Sequence, residues 1–292
     1  MATIGSRAPG MMRYWRSASW MLTVIVPLLP VALFGYGSNA AEPDAVERGL
    51  ETFRAMLKAD PWGNPGLLDA DRGELLWKEP KGPLQVSLER CDLGKGPGVV
   101  DGAFAELPRY FSDAGRVMDT ETRLMWCMQT LQGIDPASLT DAPHPSSHEP
   151  VKDLGAIATW VASRSAGQVF RTSFAHPREK ATLALGGAIF ERRMGPFDFS
   201  CMSCHGSKDK RIRRQELAHL ADPEEARRFV GEWPAYRLSA AHVMTLQHRL
   251  YDCFWQMRLP PLKLGSEVSV ALTAYLVKQA EGGTIAAPGL KR

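Results

Sequence analysis

A chain of 292 residues, 45% hydrophobic and 23% charged, has the composition of a soluble globular protein and is long enough for one large domain or two of ordinary size. The formal charge is +3 at neutral pH, but the first forty residues hold three arginines and no acid, so a chain without them is neutral. Charge therefore offers no support for a nucleic-acid partner.

The N-terminus reads as an export signal. Arg7, Arg13 and Arg16 precede the apolar run "WMLTVIVPLLPVALFGY" (Trp20 to Tyr36), and the small residues Ser38 and Ala40 follow. Basic, apolar and cleavage regions in that order, with two prolines inside the run, favour a signal cut after Ala40 over an uncleaved anchor. The mature chain is then expected in the periplasm with no membrane span. Its five cysteines, Cys91, Cys127, Cys201, Cys204 and Cys253, are expected to meet an oxidising compartment where disulfides persist.

Next along the chain come "SLERCDLGKGPG", with Leu88, Cys91 and Asp92, and "TRLMWCMQ", with Arg123 and Cys127. The segment Gly133 to Pro150 is rich in Pro, Ser and Asp and reads as a long loop. Its His144 and His148 read as solvated loop histidines rather than metal ligands. "VKDLGAIATWVASRSAGQ" then carries Trp160 and Val161, and a domain boundary is expected near Gly167 to Lys180. In the second half, "LALGGAIFERRMG" (Leu183 to Gly195) predicts a helix with Gly186 and Phe190 four apart.

"CMSCH" (Cys201 to His205) is the attachment signature of c-type haem. Each thiol adds to one vinyl group at the porphyrin edge, and the adjacent imidazole turns under the ring to bind iron. Cys201 and Cys204 are thus the thioether anchors and His205 the proximal ligand. A thioredoxin-like redox pair would need alternating strands and helices, and a zinc site a second C-x-x-C; neither is apparent. The basic run Lys208 to Arg214 follows directly, either a steering patch for anions and partners or a solvated face. The last helix is predicted over Glu267 to Gly282, with Leu272, Tyr275, Leu276 and Gln279 at helical spacing.

Before that helix, "HRLYDCFWQ" (His248 to Gln256) repeats the R-L-x-x-C of the first half, Arg249 with Cys253 matching Arg123 with Cys127. In this register Leu88, Cys91 and Asp92 stand where a haem motif needs Cys, Cys and His, so the first half should hold no covalent haem. Cys91 and Cys127 are left free to pair, which the register favours over two separate buried thiols. The sixth iron ligand is Cys253 or Met257. Arg249, one helical turn before Cys253, favours the thiolate, a strong ligand for ferric iron, so Cys253 is preferred. Arg258 is a second cation or a partner for a haem propionate. His242 and His248 lie in the segment leading to Cys253, and His248 is read as a surface or propionate contact, with proton relay the lesser alternative.

These motifs together resemble the SoxA subunit of the SoxAX cytochromes of bacterial thiosulfate oxidation, in the one-haem form. The resemblance covers nearly all the mature chain. It implies a mainly α fold of two tandem class I cytochrome c-like domains: residues 41–170 without haem and with a Cys91–Cys127 disulfide, and residues 171–292 with one covalently bound haem c. It implies an enzyme that oxidatively conjugates thiosulfate to a cysteine thiol of a SoxY-type carrier protein. Cys253 would be the catalytic ligand, carried as a persulfide, and Arg249 would bind thiosulfate. A SoxX-type cytochrome c subunit would complete a heterodimer and pass electrons to a soluble cytochrome c. The alternative is a plain electron-transfer cytochrome with His205 and Met257 on iron.

Overall fold

The computed structural model describes residues 45–60, 63–140, 152–212 and 215–291, which belong to one contact unit running from residue 43 to the C-terminus. The expected signal, His144 and His148, and Arg213 and Arg214 lie outside the described residues. Helix α1 (Ala45–Ala59) precedes two successive structural repeats, and the architecture is mainly α.

Each repeat is built on a crossed helix pair. In the first, α2 (Gly66–Lys78) packs against the later helix α5 (Asp153–Ser163). A Cβ added at Gly73 would lie 2.1 Å from the Ala156 carbonyl oxygen, so only glycine permits this approach. One turn on, the Trp77 ring meets Trp160 with centroids 5.4 Å apart. In the second repeat α6 (Pro177–Glu191) crosses α10 (Glu267–Gln279) in the same way. A Cβ at Gly186 would lie 2.0 Å from the Ala271 oxygen, and Phe190 meets Tyr275 at 4.9 Å. Such ring pairs add about 0.5–1.5 kcal/mol beyond the area they bury.

The elements differ from the sequence expectation at three points. Helix α6 begins at Pro177, where His176 and Glu179 form a reciprocal cap, and ends at Glu191 because Arg192 takes an extended conformation. Helix α2, charged along much of its length, was not expected at all. Within the expected loop, Pro136–Leu139 forms a short helix, α4, started by the Asp135 side chain.

After each crossed-pair entry helix comes a tight turn closed by a single bridge, Lys81 to Val86 in one repeat and Met194 to Phe199 in the other. A 3-10 turn (Leu88–Arg90) follows in the first repeat and α7 (Cys201–His205) in the second. Two-stranded hairpins come next. Strand β1 (Arg109–Phe111) pairs antiparallel with β2 (Arg116–Met118) before α3 (Thr120–Gln132). The second repeat inserts the small pair β3 (Arg211–Ile212) and β4 (Gln215–Glu216), then α8 (Pro223–Gly231). Its hairpin joins β5 (Ala235–Arg237) to β6 (His242–Met244), and α9 (Leu246–Gln256) follows. The registers coincide: Phe111 opposes Arg116 as Arg237 opposes His242. Strand β7 (Gly289–Lys291) adds to β5 in parallel.

Cys91 and Cys127 are joined in a disulfide with Cα atoms 5.6 Å apart, in a core that includes Leu88, Trp77 and Ile157. The repeats meet where α3 and α9 begin. The Thr245 hydroxyl donates to Glu121 at 2.6 Å, and the Gln247 amide donates to Asp119 at 2.5 Å. Asp119 and Thr245 are equivalent cap residues, and Glu121 and Gln247 each lie two further on. The contact is therefore self-complementary, as in a two-fold dimer, but written into one chain.

Candidate active site

A cavity of about 100 Å³ opens inside the second repeat, and Cys201, Cys204, His205, Arg249, Cys253 and Met257 all line it. The remaining wall is mostly apolar, with Phe190, Leu250, Phe254 and Leu276 prominent.

The motif CMSCH is held by one short helix. Ser200 caps α7 by accepting from the Ser203 amide at 3.1 Å, and Ser203 accepts from the Ser200 amide at 3.0 Å. Three-residue spacing on this turn brings Cys201 and Cys204 to one face. The His205 ring places Nδ1 2.8 Å from the Ala218 carbonyl oxygen. For that bond Nδ1 must carry the proton, which leaves the Nε2 lone pair available to a metal. Burial lowers the His205 pKa, and the nearby Arg249 charge lowers it further, so the ring is held in the neutral, ligating form. Two thiols on one face, an imidazole of fixed tautomer, a further sulfur and apolar walls fit a covalently attached haem.

Helix α9 supplies the sulfur. Thr245 caps it by accepting from the His248 amide. Arg249 and Cys253, one turn apart, both reach the cavity. The Cys253 thiol does not have the lowered pKa expected from Arg249 alone. Burial raises it, Arg249 lowers it, Asp252 raises it and Arg237 lowers it, with burial dominant. The residue sequence gives the sign of one charge but not the depth of the site. A buried thiol of this kind loses its proton on coordination, where the metal charge outweighs desolvation.

Arg249 forms an ion pair with Asp252, and both side chains are largely buried, 16% and 10% exposed. Gln256 donates to the other Asp252 oxygen at 3.1 Å. In the first repeat the equivalent Arg123 lies 4.1 Å over the Phe111 ring, and its Nε donates to the Asp92 carbonyl. The second repeat places Arg237 in the register of Phe111. Arg237 is thus a second cation acting on Cys253 that sequence reading missed; the signal was the exchange of an apolar for a charged residue at that hairpin position.

Other expected residues lie elsewhere. Met257 ends α9 and lines the cavity. Arg258 is exposed and stacks over Trp255 at 4.9 Å rather than entering the cavity. His248 is not at the surface: it and His242 are both buried, with rings 5.9 Å apart. The described part of the basic run, Lys208 to Ile212, is exposed. Among the described residues no group of three or more His, Cys, Asp or Glu could hold a metal ion, and no helix is long and apolar enough to cross a membrane.

The cytochrome c domain model of the SoxA/TsdA family matches residues 72–170 and 185–285. The L-cysteine S-thiosulfotransferase subunit SoxA of Hydrogenophilus thermoluteolus is 44% identical over 255 residues, 87% of this chain and 92% of that protein. The subunit of the same name from Hydrogenobacter thermophilus is 32% identical over 275 residues, 94% of this chain and 98% of that protein. A crystal structure of SoxXA from P. pantotrophus superposes with a TM-score of 0.67 at 22% identity, covering 83% of this chain and 84% of that one.

Proposed function

The chain belongs to the SoxA/TsdA cytochrome c family, and on that premise we propose that it is the SoxA-type subunit of an L-cysteine S-thiosulfotransferase, coupling thiosulfate oxidatively to a cysteine thiol on a SoxY-type carrier. The observation that carries this reading is that Arg249 and Cys253 line the same cavity as CMSCH. A haem c would be held by Cys201, Cys204, His205 and Cys253, and would supply one-electron redox chemistry to the sulfur at residue 253. One haem is expected, since Leu88 and Asp92 replace the first cysteine and the histidine in the first repeat.

The chain's own residues account for substrate selection. Thiosulfate is a dianion, and Arg249 presents a planar donor fork suited to its oxygens, with Arg237 adding charge nearby. The apolar walls exclude water, so each charge acts in a low dielectric. Asp252 holds Arg249 through Nη1 and orients the guanidinium. Cys253, carried as a persulfide, takes part in turnover from a fixed position on α9 with no net change in its own sulfur. Overall, a carrier thiol and thiosulfate form one S–S bond and release one proton and two electrons. The electrons leave through a SoxX-type cytochrome c subunit of a heterodimer, in the periplasm, to a soluble cytochrome c.

Replacing Cys253 by Met tests this reading. Haem attachment, read by intact mass, is expected to persist while thiosulfate-dependent turnover is lost; unchanged turnover removes Cys253 from the reaction. Met257 also faces the cavity, which keeps a second reading, electron transfer alone with His205 and Met257 as ligands. Met257→Leu is expected to leave the haem spectrum unchanged, whereas the second reading requires it to change.

A further inference from the structure

The three thiols outside the Cys91–Cys127 bridge, those of Cys201, Cys204 and Cys253, share one cavity. The two repeats say how these thiols are matched. The bridge at Lys81 and Val86 leads to Leu88 and Cys91 as the bridge at Met194 and Phe199 leads to Cys201 and Cys204. The hairpin β1–β2 leads to Cys127 on α3 as β5–β6 leads to Cys253 on α9. Cys204 and Cys253 therefore hold the places of Cys91 and Cys127, and Cys201 holds that of Leu88.

In the first repeat those places are 5.6 Å apart between Cα atoms, within the range a disulfide requires, and both cysteines are nearly inaccessible. Leu88, Leu93 and Met128 are buried in the same core cluster. In the second repeat the same two places border a cavity of about 100 Å³ with apolar walls. Side chains fill the first of these places, whereas the second is a cavity with almost wholly apolar walls.

We propose that the haem-free chain closes its second repeat as the first is closed, by a Cys204–Cys253 disulfide that must be reopened before haem is attached. The bond forms between the two Sγ atoms. Their thiols give up two protons and two electrons to a dithiol–disulfide oxidant, which leaves as its dithiol; a dithiol reductant runs the step backwards. A Cys201–Cys204 bond is the competing outcome, but it joins neighbours on one turn and leaves the cavity open. Closure through Cys253 draws α7 against α9 and removes it. The bond masks one attachment thiol and the prospective axial sulfur together, so an unloaded chain is protected from further thiol oxidation but cannot take haem. The inference rests on the haem-site reading, and its test does not involve thiosulfate turnover, so the two fail separately.

The full chain, exported in cells lacking the haem-attachment apparatus, is to be trapped with N-ethylmaleimide, digested without reductant and mapped by mass spectrometry. The expected products are a Cys204–Cys253 linked pair two hydrogens lighter than its separate peptides, alkylated Cys201, and intact Cys91–Cys127 as the control for folding. A Cys201–Cys204 pair, or three alkylated thiols, with that control intact, overturns the proposal. A second measurement covers a haem-free chain that is not recovered folded. In cells that attach haem but are deprived of the thiol reductant, Cys253→Ala is expected to gain haem in severalfold higher yield than the unsubstituted chain; equal yields overturn the proposal.

Discussion

Arg249 holds two roles that substitution can separate. Its guanidinium faces the cavity and also neutralises Asp252, whose carboxylate is only 10% exposed. Arg249→Leu leaves that carboxylate without its ion-pair partner, and removing one partner of a buried pair costs about 3–5 kcal/mol. The double variant Arg249→Leu with Asp252→Leu is expected to recover most of that loss in a denaturant titration while thiosulfate turnover stays absent. Recovery of turnover as well would make Arg249 structural only. Arg249→Lys keeps charge but loses the planar fork, so KM for thiosulfate is expected to rise more than kcat falls. At this scale the sequence was legible where residues are neighbours along the chain. CMSCH and the R-L-x-x-C pair name five cavity residues, Cys201, Cys204, His205, Arg249 and Cys253, outright. Arg237 was not legible, because hairpin register and not sequence distance brings its charge to Cys253. The direction of the Cys253 pKa was missed for a related reason: desolvation depends on what the whole fold packs around the sulfur.

Among elements, the crossed helices set the cavity's back wall, since Phe190 and Leu276 come from α6 and α10. Gly186 decides how closely they approach. Gly186→Ala forces a methyl against the Ala271 carbonyl, an overpacking expected to cost about 1–3 kcal/mol and to shift Phe190. Gly73→Ala makes the same clash against Ala156 in the first repeat. Similar losses in thermal denaturation are expected for both, with a perturbed haem absorption spectrum for Gly186→Ala alone. A spectrum disturbed equally by Gly73→Ala would mean that the first repeat shapes the haem cavity directly. The two later helices were readable from Trp160 and Tyr275 because their runs are almost purely apolar on the packed face. Helix α2 was not, because Asp69, Asp71, Arg72 and Glu74 break the apolar pattern while Gly73 and Trp77 carry the contact. The hairpins were also invisible, each strand being three residues long, too short for alternation to register.

For the molecule as a whole, the duplication explains both what was legible and how the halves hold together. Matching Arg123–Cys127 to Arg249–Cys253 exposed the repeat in the sequence, yet nothing in either copy alone marks Asp119 and Glu121 as an interface. Buried there, Glu121 is 6% exposed, and its pKa is pushed up to about 8 by desolvation and by the Asp119 charge, against the lowering bonds from Thr245 and the Gln247 amide. In the unfolded chain the same carboxyl titrates near 4.5. Between these values the folded state binds the extra proton, so stability falls as pH rises, by about 1.4 kcal/mol per pH unit at most. The contribution is full below about 4.5 and is lost as pH rises through about 8. Ionisation strengthens the bonds that Glu121 accepts from Thr245 and the Gln247 amide, so the cost lies in the buried charge and its repulsion by Asp119 rather than in the cap of α9. Glu121→Gln keeps an oxygen to accept from Thr245 and removes the titration. Its unfolding free energy, measured by denaturant at several pH values from 5 to 8, is expected to decline less steeply than that of the unsubstituted chain. Parallel profiles would mean that the carboxyl is already ionised at the interface, and that the two repeats tolerate a buried pair of like charges where they meet.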